Sequence, residues 1–227
     1  MNSMTEYAAL IGNRELLYRF LSRLYLSETD SALLKQLTAM CFPDECGEAE
    51  LAEGYRMMTA YLRRPGDDRV TELAVDYARV FLGAGVAEGV VAYPYESVYT
   101  SELRLMMQEA RDQVLQAYRD KGLGCLATLN LPEDHLAFEL EFMAHLCRTM
   151  QICVAEDDWS AALLSLGEQK NFVKRHLLNW VPRFCDDILK SAASDFYKAA
   201  AKITRGFMRL ETAIIEDLIA EATQRRG

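Results

Sequence analysis

Leu131-Pro132-Glu133-Asp134-His135-Leu136-Ala137-Phe138-Glu139-Leu140-Glu141-Phe142-Met143 is the most informative segment of the chain. A rigid Pro and a few polar groups stand at the mouth of an otherwise apolar helix. A Pro in a first helical turn gives up no hydrogen bond, because that N–H has no intrahelical partner, and the acids after it favour the positive end of the helix dipole. The same plan occurs upstream in Tyr93-Pro94-Tyr95-Glu96-Ser97-Val98-Tyr99. Two such mouths are how a helical protein builds a recognition site.

Outward from these segments nearly everything follows a helical period. Leu10, Leu17, Leu21 and Leu24 line a first helix, and Asp30 caps a short second one bearing Leu33, Leu34, Leu37 and Met40. Leu51, Tyr55, Met58 and Leu62 mark a third, and Val70, Leu73, Tyr77 and Val80 a fourth after the break at Pro65-Gly66. Gly83, Gly85, Gly89 and Pro94 interrupt the pattern, so residues 83 to 95 read as the longest loop. Periodicity resumes through Leu103, Met107, Ala110, Val114 and Tyr118 until Gly122 and Gly124. Beyond Pro132 come a helix through Trp159, Leu163 and Leu166 towards Leu177, and a last one on which Phe196, Ala200, Ile203, Phe207, Leu210 and Ile214 step by four and three. No period-two strand pattern is visible. The expectation is an all-α single globular domain of about nine to eleven helices, with a candidate hinge near 128–132 between an N-terminal part, 1–128, and a C-terminal part, 132–227.

Composition sets the outer limits. At 227 residues, 51% hydrophobic, with 12 Gly and 5 Pro, the chain buries a sizeable core and is not disordered. A net charge of -9 without a long basic run argues against nucleic acid and suits a basic peptide. The 6 Cys form no C-x-x-C pair, which points to reduced thiols. No run reaches the roughly 18 apolar residues of a membrane helix, and Met1 to Leu10 lack the basic lead of a secretory signal, so the expected location is cytoplasmic.

Three chemistries come into question at these residues. His135, Glu139, Glu141 and His145 invite a metal site, but at about 100° per residue Glu139 and Glu141 point roughly 200° apart. A Ser97–His135 hydrolase pair lacks a nucleophile turn, and Gly83-Ala84-Gly85 lacks the Lys and Ser/Thr of a phosphate loop. No metal, cofactor or catalytic residue is expected, with a small helical metal-binding protein or enzyme on those four residues as the alternative. Tyr77, Phe81, Tyr93, Tyr95 and Tyr99 read as core aromatics or as groove lining. Met57, Met58, Met106 and Met107 read as core filler.

Four segments together resemble the TorD/DmsD family of cytoplasmic redox-enzyme maturation chaperones, relatives of the NarJ group. They are Asp76-Tyr77-Ala78-Arg79-Val80-Phe81-Leu82-Gly83, Pro94-Tyr95-Glu96-Ser97-Val98-Tyr99, Pro132-Glu133-Asp134-His135 leading into Glu139-Leu140-Glu141-Phe142-Met143, and Phe196-Tyr197-Lys198-Ala199-Ala200-Ala201-Lys202-Ile203-Thr204. Two departures stand out: Ala84 where relatives often carry the Pro of a Gly-Pro-Gly turn, and Leu131 where an acid often precedes the Pro. The resemblance implies a non-catalytic protein that binds the twin-arginine signal peptide and apo-form of a molybdopterin-dependent oxidoreductase, assists cofactor insertion and delays export. It also implies a monomer or homodimer, since members are known to exchange halves between protomers. Such a peptide, apolar with two arginines, calls for an apolar groove with a carboxylate rim. Tyr77, Phe81, Pro94, Val98 and Tyr99 are the candidate groove residues. Asp134, Glu139 and Glu96 are the candidate rim, with His135 donating or accepting a hydrogen bond, and Ser97 and Pro132 complete the expected peptide-binding set.

Overall fold

Asp30 starts α2 (Ser31–Ala39) by accepting the Leu33 N–H on its carboxylate at 2.7 Å, and Gly83 ends α4 (Arg69–Leu82) in the left-handed conformation at φ 70°. Local signals of this kind delimit ten α-helices among the described residues of the computed structural model, which are 4–43, 46–66, 68–86, 89–124 and 130–226. The others are α1 (Met4–Leu26), α3 (Ala49–Arg63), α5 (Glu96–Thr100), α6 (Glu109–Asp120), α7 (Leu136–Ala155), α8 (Trp159–Phe172), α9 (Val181–Ser191) and α10 (Asp195–Arg226). A π turn, Val173–Leu177, follows α8 directly. The only bridge of β type among these residues is the isolated pair Tyr95 and His135. The chain is all-α, as the periodicity predicts.

The helices group into two compact units, each discontinuous in sequence. One takes residues 1–23, 95–179 and 210–227; the other takes 24–94 and 180–209. Of the hinge expected at 128–132, residues 128 and 129 lie outside the described residues, as does Cys125.

In the first unit α7 is apolar almost all round, and its Leu136, Leu140, Met143, Cys147 and Met150 are all buried. The buried stripe of α1 here is Tyr7, Ile11, Arg14 and Tyr18, while Leu10 and Leu17 are only half-buried. Arg14 sits 2% exposed against the fully buried Glu211 of α10, with Nε 3.1 Å from both carboxylate oxygens and Nη2 on Oε1. Tyr18 donates its hydroxyl to the same Oε1 at 2.6 Å. Burial alone would lower the Arg14 guanidinium, but the adjacent Glu211 carboxylate outweighs it and the net shift is upward.

The second unit is held by an aromatic cluster. Phe81 stands 4.9 Å from Tyr77, 5.3 Å from Tyr197 and 5.9 Å from Tyr25, and Tyr25 stands 5.3 Å from Phe184, at the offsets ring quadrupoles favour. Asp76 caps α10 from α4, accepting the Ala193 N–H at 3.0 Å and the Ser194 N–H at 2.7 Å. Burial would raise this carboxyl, but those bonds and Arg79 hold it below the usual range. Gly54 of α3 lies where a Cβ would come within 2.7 Å of the Ile203 side chain and 2.8 Å of its backbone nitrogen, which is why α10 packs so closely there. Gly83-Ala84 turns without a Pro, the Ala84 N–H reaching back to the Ala78 carbonyl at 3.0 Å.

Residues 101–108 differ from expectation. The apolar run Leu103-Arg104-Leu105-Met106-Met107 is a loop, α6 starts at Glu109, and Leu103 (74%) and Met107 (59%) are among its exposed side chains. Met106 is exposed as well, so neither Met106 nor Met107 fills the core, whereas Met58 does. Arg104 at φ 53° and Met107 at φ 60° adopt the left-handed backbone without being glycine, at a cost of roughly 1 to 2 kcal/mol each.

Candidate functional site

The two helix mouths lie against each other in the first unit. Residue 134 supplies both acceptors that the N-terminus of α5 needs: its carbonyl takes the Glu96 N–H at 3.0 Å and its carboxylate Oδ2 takes the Ser97 N–H at 2.8 Å. Tyr95 pairs with His135 along the backbone, their rings 5.0 Å apart edge to face. Pro132 makes the turn that places them, its carbonyl accepting the His135 N–H at 3.1 Å.

Each polar group at this junction is committed inward. Glu96 is 2% exposed; Oε2 lies 3.0 Å from Nδ1 of His176, and Oε1 accepts from Asn179 Nδ2 at 2.8 Å. The π turn is what delivers His176, since its wider i to i+5 step, seen in the 2.9 Å bond from Leu178 N–H to the Val173 carbonyl, turns the ring towards α5. Ser97 Oγ accepts the Gln108 N–H at 3.0 Å and so ties the 101–108 loop down. His135 N-caps α7, its Nδ1 accepting the Ala137 N–H at 3.1 Å, which puts the ring proton on Nε2. Burial pulls this imidazole down to about 4, so it is neutral at pH 7. Burial likewise pushes the Asp134 carboxyl up, against the hydrogen bonds from Ser97. Its other oxygen, Oδ1, is buried without a hydrogen-bond partner.

Glu96, Ser97, Val98, Tyr99, Asp134, His135 and Glu139 are therefore all buried in one neighbourhood of the first unit, with Pro132 at its edge. Tyr77, Phe81 and Pro94 belong to the second unit, where Tyr77 and Phe81 are core aromatics. Glu139 points inward, while Glu141 is half-exposed and takes an ion pair from Arg19 at 2.5 Å, so the two carboxylates diverge. No group of three or more His, Cys, Asp or Glu side chains among the described residues is arranged to hold a metal ion.

Beside this junction runs an open cleft of about 510 Å³ that the sequence did not point to. One wall is a single face of α6, Glu109, Asp112, Gln113, Gln116, Ala117 and Asp120; the other is Glu168, Asn171, Phe172, Arg175 and His176 on α8 and the π turn. Phe142 and Phe172, 4.7 Å apart, form its floor. Lys121 and Glu168 pair at 2.5 Å across one end. His176 thus lines the cleft and holds Glu96 at the same time. The spacing of Glu109, Asp112, Gln113, Gln116 and Asp120 on one helical face is a signal in the sequence, but it reads equally as a solvated face. His176 lay hidden in the run Lys174-Arg175-His176.

A family model described as the nitrate reductase delta subunit matches residues 45–186, more than half of the chain. The chain belongs to the nitrate reductase delta subunit family. Similarity to individual proteins reaches beyond that segment. A protein named chaperone protein TorD from Vibrio cholerae is 32% identical over 225 residues, 96% of this chain and 99% of the relative. Proteins of the same name from Shewanella pealeana and Aliivibrio fischeri are 29% and 26% identical, over 89% and 93% of this chain. The family match contains both helix mouths and the cleft. No helix among the described residues is long and apolar enough to cross a membrane.

Proposed function

We propose that this chain is a cytoplasmic, non-catalytic chaperone for the maturation of an exported molybdopterin-dependent oxidoreductase. It binds the twin-arginine signal peptide and the apo-form of that enzyme, assists cofactor insertion and delays export. The observation that carries the proposal is the end-to-end similarity to proteins named chaperone protein TorD, 96% of this chain against 99% of the relative. The chemistry of the first unit supports it. Asp134 and Glu96 at the helix mouth are tied into structural hydrogen bonds, as a binding scaffold needs, and a cleft with carboxylates on its walls and an aromatic floor is open beside them.

In this reading Glu96, Ser97, Val98, Tyr99, Pro132, Asp134, His135 and Glu139 fix the helix mouth beside which the peptide rests. Tyr77, Phe81 and Pro94 keep the second unit in its binding-competent shape. The test is calorimetric titration of the purified protein with a twin-arginine signal peptide and with its Lys-Lys counterpart. Binding of the first, with loss of about tenfold or more for the second because a planar guanidinium fork is replaced by a point charge, is expected. No binding of either peptide overturns the proposal.

A further inference from the structure

We propose that the peptide lies along the cleft between α6 and α8, its arginines on the acidic face of α6 and its apolar run over the exposed loop Leu103-Arg104-Leu105-Met106-Met107. The identity of the peptide rests on the function proposed above; the surface and its polarity rest on the following geometry. The loop leads directly into α6 at Glu109, the first residue of the cleft wall, so the apolar side chains and the acidic face follow one another along the chain. Leu103, Leu105, Met106 and Met107 are 49% exposed or more, the densest group of exposed large apolar side chains among the described residues. The loop is also held in place rather than left slack. Gln108 N–H is bonded to Ser97 Oγ at 3.0 Å, Gln108 Nε2 to the Met106 carbonyl at 2.9 Å, and the Arg104 guanidinium sits 6.0 Å from the centre of the Tyr99 ring.

The cleft supplies the complementary half. Glu109 and Asp120 accept from the neutral amides of Gln113 and Gln116, so their charge is not cancelled, and Asp112 is 76% exposed with only a 3.4 Å contact to Arg111. Lys121 is paired with Glu168, and Arg175 lines the opposite wall. A segment that is basic at one end and apolar at the other fits this surface in one direction, running antiparallel to α6. From Glu109 to Asp120 the helix rises about 17 Å at 1.5 Å per residue. About five residues of extended peptide at 3.3 Å each cover that distance. The arginine pair and the start of the apolar run are therefore separated by no more than about five residues.

The experiment is fluorescence anisotropy with a labelled peptide carrying Arg-Arg and an apolar run. It is titrated into the full chain and into two double variants, Asp112→Lys with Asp120→Lys, and Leu105→Asp with Met106→Asp. All four positions are exposed, and thermal melts followed by circular dichroism check that each variant is folded. Each pair is expected to weaken binding about tenfold or more, and a peptide with Glu-Glu in place of Arg-Arg is expected to prefer the lysine variant over the wild-type chain. If the wild-type chain binds and either double variant binds indistinguishably from it, the surface is overturned while the chaperone function stands. If the wild-type chain does not bind at all, the signal-peptide reading itself fails.

Discussion

Asp134 caps α5 from 37 residues away, accepting the Ser97 N–H on its carboxylate at 2.8 Å while its own carbonyl takes the Glu96 N–H. A helix of five residues does not stand alone in water, because its nucleation cost is never recovered by so few hydrogen bonds. Its position is set by this one residue and by the hold of His176 on Glu96.

Replacing Asp134 by Ala leaves a buried N–H without an acceptor and is expected to cost about 1 to 3 kcal/mol in urea unfolding. Asp134→Asn keeps an acceptor oxygen and removes a charge that burial disfavours, so it is expected to cost clearly less than the alanine. Equal losses for the two would show that the cap is not what Asp134 contributes.

His135 makes the protein acid-sensitive in a defined window. Its imidazole falls from the ordinary 6.5 to about 4 in the folded chain, so between those values the unfolded state binds the proton and the native state does not. Stability from this group is full above pH 6.5, falls as pH drops, and is exhausted near pH 4, a span on the order of 3 kcal/mol. His135→Asn preserves an N-capping side chain without a titrating ring. The difference in unfolding free energy between wild type and variant is expected to shrink as pH falls from 7 to 4; a constant difference contradicts the assignment.

Arg14 and Glu211 form a buried pair, and breaking it from one side is expected to be far worse than removing it. Glu211→Gln leaves the guanidinium charge uncompensated in the core, at about 3 to 5 kcal/mol. The double change Arg14→Met with Glu211→Leu is expected to recover much of that loss. Chemical denaturation of the single and double variants reads the coupling directly, and additive losses would argue against it.

Gly54→Ala is expected to destabilise by about 1 to 3 kcal/mol, because the new methyl meets the Ile203 backbone nitrogen as well as its side chain, and the backbone cannot swing away. On an exposed helix face the same substitution would stabilise. A raised melting temperature for Gly54→Ala would mean that α3 and α10 do not approach as closely as described.

The sequence was most legible where period and burial coincide. Leu51, Tyr55, Met58 and Leu62 all face the core, and so do Leu73, Tyr77 and Val80. The last helix departs from its apolar pattern. Its inward stripe continues from Phe207 to Glu211, Ile215 and Leu218, while Leu210 and Ile214 are half-buried, because a buried ion pair occupies a position that hydrophobicity assigns outward. Arg14 was hidden for the same reason. The 101–108 loop escaped because its left-handed residues are Arg104 and Met107, which give no turn signal, and because its apolar side chains continue the helical period while facing solvent. The motif around Asp134 and His135 was conspicuous. What it does there, capping two helix starts from within, depends on partners 37 residues away and on a ring of neighbours that no local pattern encodes.

In the proposed arrangement the client peptide is held on the α6 side of the first unit, beside the Glu96–His176 bond. Hydrogen–deuterium exchange of the full chain with and without a twin-arginine signal peptide tests this most directly. Slowed exchange is expected in residues 101–121 and 168–179, with the second unit unchanged. Peptide-induced protection that spares both segments and falls elsewhere would rule this arrangement out.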